Sequence, residues 1–91
     1  MGANHVYMTA RVTVALPSGR KVEASEDLDL WDGPRSKADV RAIMAAPDKR
    51  KATAEWLAAN ADEPDFALNL LDKFFDDHPA SDGWTIVWKA Y

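Results

Sequence analysis

This sequence predicts an α+β domain: a small antiparallel sheet, made of an N-terminal hairpin and a C-terminal strand, with three helices packed on one face. Two observations carry it. Apolar and polar residues alternate with period two near both ends of the chain, and between them lie three segments with helix caps and helical spacing. The order is strand, strand, helix, helix, helix, strand, in one domain over residues 1–91.

The first strand is the clearest element. Val6, Met8, Ala10, Val12, Val14 and Leu16 are all apolar, and Tyr7, Thr9, Arg11 and Thr13 alternate with them, as on a half-buried strand. Pro17-Ser18-Gly19 follows, with a proline that presets a turn and a glycine that can close a three-residue hairpin loop in the left-handed conformation. Leu16 then faces Arg20, Val14 opposes Val22 and Val12 opposes Ala24, which carries the apolar face into a second strand ending at Ser25.

Ser36 with Asp39 three residues on reads as the capped start of a helix whose apolar face is Val40, Ile43 and Met44. Pro47 opens a second helix over roughly 47–60, with Ala52, Trp56 and Ala59 on one side. Asp62 stands as the N-cap of a third, Glu63, Pro64 and Asp65 fit its first turn, and His78-Pro79 ends it. Phe66, Ala67, Leu68, Leu70, Leu71, Phe74 and Phe75 span an arc of roughly 200° on that helix, more than one core-facing stripe requires. Ser81-Asp82-Gly83 makes a turn into a last strand, where Trp84, Ile86, Trp88 and Ala90 alternate with Thr85, Val87, Lys89 and Tyr91.

A chain of 91 residues builds one modest core, and its 47% apolar content with four tryptophans argues against disorder. Cysteine is absent, so disulfides, thiolate ligands and thiol nucleophiles are excluded. MGANHVYMTA lacks the basic start and apolar run of a signal peptide, and Val6 stands where a myristoylation signal has Ser or Thr. No stretch of about 18 apolar residues occurs. These readings lead to a cytoplasmic protein. The net charge of -4 is unevenly spread: residues 35–51 hold six basic groups against Asp39 and Asp48, whereas 62–82 hold seven acidic groups against Lys73.

The stretch EDLDLWDGP, residues 26–34, superficially matches a calcium loop through Asp27, Asp29 and Asp32. The third aspartate is out of place, however, and Ala38 occupies the position of the bidentate glutamate. The reading that remains docks Leu28 and Leu30 on the core while Glu26, Asp27, Asp29 and Asp32 face water, and leaves Trp31 as an aromatic anchor for a partner. Two histidines without cysteine do not make a structural zinc site. His5 is expected at a solvated strand end and His78 at the C-terminus of the third helix, where a cation is favoured. Each serine has a turn, cap or strand-end role, and neither a Gly-x-Ser-x-Gly elbow nor a phosphate loop is present. No catalytic residues, metal or cofactor are therefore assigned.

By elimination the chain is expected to be a small acidic, non-catalytic protein-binding module. It would act as an inhibitor or regulator that docks on the basic, nucleic-acid-binding surface of a larger protein. The residues expected to bind the partner are Asp62, Asp65, Asp72 and Asp76 on the third helix, with Trp31 and Asp29. Phages and mobile elements use small acidic proteins in this way against host nucleases and defence complexes; the likeness is one of size and charge. One alternative is a structural or assembly protein that forms a homo-oligomer, pairing the basic and acidic segments between subunits. Another is nucleic-acid binding through the basic segment 35–51, against which the acidic whole argues.

Overall fold

The computed structural model describes residues 5–30, 33–34 and 36–90; Trp31, Asp32 and Arg35 lie outside the described residues. Its elements are β1 (Val6–Ala15), β2 (Lys21–Asp29), α1 (Lys37–Ala45), α2 (Lys49–Asn60), α3 (Pro64–Asp77) and β3 (Thr85–Ala90), with a turn of 3-10 helix at Ala80–Asp82. The strands form one antiparallel sheet in the order β2-β1-β3.

The hairpin has the expected register, with Val14 opposite Val22 and Val12 opposite Ala24. Its loop is closed by the Leu16 N–H donating to the Arg20 carbonyl at 2.7 Å and the Gly19 N–H donating to the Leu16 carbonyl at 2.9 Å. Gly19 sits at φ 85°, a left-handed conformation that an L side chain reaches only against its own backbone. The second strand runs further than the sequence reading placed it. Ser25 is a mid-strand residue opposite Arg11, and pairing continues to Asp29 opposite Tyr7.

β1 is the middle strand but is not equally served on its two sides. β3 pairs with Val6 through Arg11 only, so residues 12–15 have β2 as their sole ladder partner among the described residues. Over the doubly paired part, Val6, Met8 and Ala10 are buried against the helices. Beyond it the hairpin continues as an arm, and Val14, Leu16 and Val22 stay exposed on the face that is core further back. The radius of gyration is 14.8 Å, against about 12 Å for a compact chain of this length.

Each helix has a local start and stop. Ser36 caps α1 by accepting from the Asp39 N–H at 3.1 Å. Ala46 is pushed into the extended region by the proline that follows it, which ends the helix. Asp48, one residue past Pro47, caps α2 by accepting from the Lys51 N–H at 3.0 Å. The N-cap of α3 is Glu63, not Asp62, and its side chain makes no capping bond; Pro64 fills the first helical position.

The core joins Met8, Ala10, Leu30, Leu57, Ala67, Leu71 and Phe74, and a smaller cluster joins Val6, Val40 and Ile43; Trp56 and Trp88 pack against both. The buried face of α2 differs from the expected Ala52-Trp56-Ala59 side. Thr53 and Leu57 are its fully buried residues, Ala52 and Trp56 are half-buried and Ala59 is exposed. The Thr53 hydroxyl is buried, with no hydrogen-bond partner among the described residues.

Two stability outcomes follow. Nothing lies within 4 Å of a Cβ built at Gly19, so Gly19→Val carries only backbone strain and should lower stability by about 1–2 kcal/mol. Thr53→Val keeps the shape and removes the orphaned hydroxyl, and should raise stability by about 1 kcal/mol. Urea unfolding measures both, and an unmoved midpoint in either variant would contradict the corresponding assignment.

Candidate protein-docking face

The carboxylates of residues 26–29 sort by strand parity, because successive side chains of β2 point to opposite faces of the sheet. Asp27 is opposite Thr9 on the helix-free face and accepts its hydroxyl hydrogen bond at 2.7 Å. Asp29, on the same face, lies 3.8 Å from Nδ1 of the half-buried His5. Glu26 is on the helix side and does not simply face water: one of its oxygens lies 2.8 Å from Nε2 of His78. Leu30 is buried and Leu28 packs against the core as expected.

His78 closes α3, and its buried ring joins three elements. Nδ1 lies 2.6 Å from the Phe74 carbonyl; a carbonyl only accepts, so this nitrogen is the donor. The ring stands 4.5 Å from Trp84 edge-on and 4.6 Å from Phe74, centroid to centroid. Helix terminus, edge strand β2 and the approach to β3 are thereby tied at one side chain.

The acidic residues of α3 have different environments. Asp72 pairs with Arg50 at 3.2 Å, and that guanidinium lies 4.4 Å over the Phe75 ring. Asp77 takes a hydrogen bond from Lys73 at 2.8 Å. This bond holds the Asp77 carboxyl below the ordinary carboxylate value and holds the Lys73 ammonium above the ordinary lysine value. Among the described residues no Lys, Arg or His nitrogen lies within 4.0 Å of Asp62, Glu63, Asp65 or Asp76. Asp65 and Asp76 are exposed and fall within about 20° of each other around the helix axis.

Of the six residues the sequence nominated, Asp62, Asp65, Asp72 and Asp76 lie on or beside α3. Asp72 is already matched within the chain. Asp29 sits on the sheet face away from the helices and does not join them, and Trp31 falls outside the described residues.

Two apolar features accompany the acids. Phe66 and Leu70 are 59% and 36% exposed, which resolves the overly wide apolar arc: Ala67, Leu71 and Phe74 are buried and the flank is bare. These two residues, with Leu30, Leu57, Ala67, Asp62 and Glu63, line a hollow of about 210 Å³. That is below the roughly 300–1,000 Å³ of small-molecule sites. The basic segment is engaged locally, through Arg50 with Asp72, Lys51 with Glu55 at 4.0 Å, and the Lys49 ammonium with the Ala46 carbonyl at 3.4 Å. The opposite charges of the two segments thus meet in part within one chain.

The fold is of the α+β class, and the face it offers is acidic and partly apolar. Among the described residues no helix is long and apolar enough to cross a membrane. No protein-family model, no curated protein and no solved structure matches the chain.

Replacing His78 by phenylalanine keeps a ring between Phe74 and Trp84 but leaves the Phe74 carbonyl without its donor and removes the polar contact to Glu26. His78→Phe should cost about 1–3 kcal/mol, whereas Glu26→Gln, which keeps an acceptor oxygen, should cost less than about 1. Equal urea midpoints for His78→Phe and the native protein would remove the junction from the account.

Proposed function

We propose that this protein is a non-catalytic inhibitor or regulator that docks the acidic face of α3 on the basic, nucleic-acid-binding surface of a larger protein. The observation that supports this reading is the exposure of Asp65 and Asp76 on one helix face with no cation within ion-pair distance among the described residues. Surface carboxylates held apart from counter-charges steer encounter with a basic partner and fix its register. Asp72 contributes through the Arg50 pair, which braces that face against Phe75. A role against host nucleases or defence complexes, of the phage and mobile-element kind, suits the size and charge. Nucleic-acid binding through 35–51 has less support, since Arg50 and Lys51 face carboxylates of the same chain.

The test is a kinetic comparison. A partner captured from cell extract on the immobilised protein is titrated against native protein and the Asp65→Asn/Asp76→Asn variant at several salt concentrations. Both charges are exposed, so the fold should survive within about 1 kcal/mol. Association should slow several-fold and its salt dependence should flatten, because exposed charges act over a screening length of about 8 Å at physiological salt. An unchanged rate and salt slope, with binding abolished by Phe66→Ala, would replace this reading by hydrophobic assembly.

A further inference from the structure

Among the described residues, the large hydrophobic residues left exposed fall into two patches. Val14, Leu16 and Val22, at 44%, 38% and 39% exposure, cluster at the tip of the hairpin arm; Phe66 and Leu70 border the hollow beside Leu30 and Leu57. Their surrounding charges are opposite. The tip carries Arg20 and Lys21, with Glu23 as the nearest acid in sequence, and the hollow is rimmed by Asp62 and Glu63. We propose that the two patches bind each other between two copies of this chain, each arm tip seating Leu16 in the acid-rimmed hollow of the other.

A second copy is required because the chain cannot reach itself. β2 begins at the tip with Lys21 and ends beside Leu30, and eight ladder steps separate Ala15 from Tyr7, a span of roughly 26 Å held by the strand pairing. The same geometry sets the symmetry. Tip and hollow lie at opposite ends of β2, so two copies laid antiparallel along that strand bring both tips to both hollows about one two-fold axis. The hollow is sized for a side chain, and the arm presents one.

The chain exposes 6168 Å², more than the roughly 5,300 Å² of a compact monomer of 10.1 kDa, in keeping with the projecting arm. This association uses neither Asp65 nor Asp76, the charges on which the docking of α3 on a basic partner rests, but it covers Asp62 and Phe66 beside them.

Light-scattering mass and sedimentation equilibrium test it, with far-ultraviolet circular dichroism to confirm folding. At about 100 µM in low salt the weight-average mass of the native protein should approach twice 10.1 kDa, with a dissociation constant on the order of 1 µM that rises with salt. R20E/K21E reverses the tip and D62K/E63K reverses the rim. Each variant alone sets like charges in contact and should dissociate at least tenfold more readily. Mixed in equal amounts they should recover the dimer, because every tip then meets a rim of opposite sign. A native protein that stays monomeric at 100 µM, a dimer untouched by either reversal, or a mixture that fails to reassociate would each overturn the proposal. A mass that climbs past the dimer with concentration would overturn the two-fold arrangement.

Discussion

The unequal lengths of the strands around β1 decide where this protein has a core and where it has a surface. Ten residues of β1 are paired by β2 over nearly their whole length, but β3 reaches only as far as Arg11. Where β1 has both neighbours, Met8 and Ala10 form the floor on which Leu57, Leu71 and Phe74 pack. Where it has one, the same alternation of residues continues without a cover. α3 stops at His78-Pro79, and Val14 and Val22 are left uncovered.

His78 fixes this boundary. Its ring takes up a terminal carbonyl of α3, meets Glu26 of β2 and lies against Trp84 just ahead of β3. A buried polar group with both nitrogens engaged tolerates little displacement, since moving it strands its partners in a poorly solvated site. The helix layer therefore ends in register with the end of β3, and the ribbon beyond emerges as a separate arm. The Arg50 guanidinium, which shares a hollow with His78, contacts both Asp72 and Phe75 and links α2 to α3 by charge and by contact with the ring.

Much of this was legible in the sequence because the signals were local. Period-two alternation gave β1, Pro17-Ser18-Gly19 gave the turn and with it the register, and Ser36 with Asp39 gave the cap of α1. The face of α2 was not legible: the helix is alanine-rich with charges scattered around it, so tertiary packing chose Thr53 and Leu57 over the Trp56 side. Of the acidic site, the placement of Asp62, Asp65, Asp72 and Asp76 beside one helix was readable from spacing. The pairing of Asp72 with Arg50 was not, since it spans 22 residues and depends on how α2 packs on α3. The Glu26 contact with His78 spans 52 residues and escapes local pattern in the same way. Alternation at Val12 and Val14 matches that at Met8 and Ala10, and only the extent of β3 and of the helix layer separates core from arm.

A ribbon held on one side by one strand has its own, shallower free-energy well. Amides around Met8 and Ala10 are enclosed by two ladders and a helix layer, and they exchange with solvent only when the whole domain opens. Those between Val12 and Ala24 can open with the hairpin alone, at a fraction of the global unfolding free energy, while the rest of the sheet stays paired. The end of the third strand near Arg11 thus divides one continuous pair of strands into a part closed by two ladders and a part closed by one.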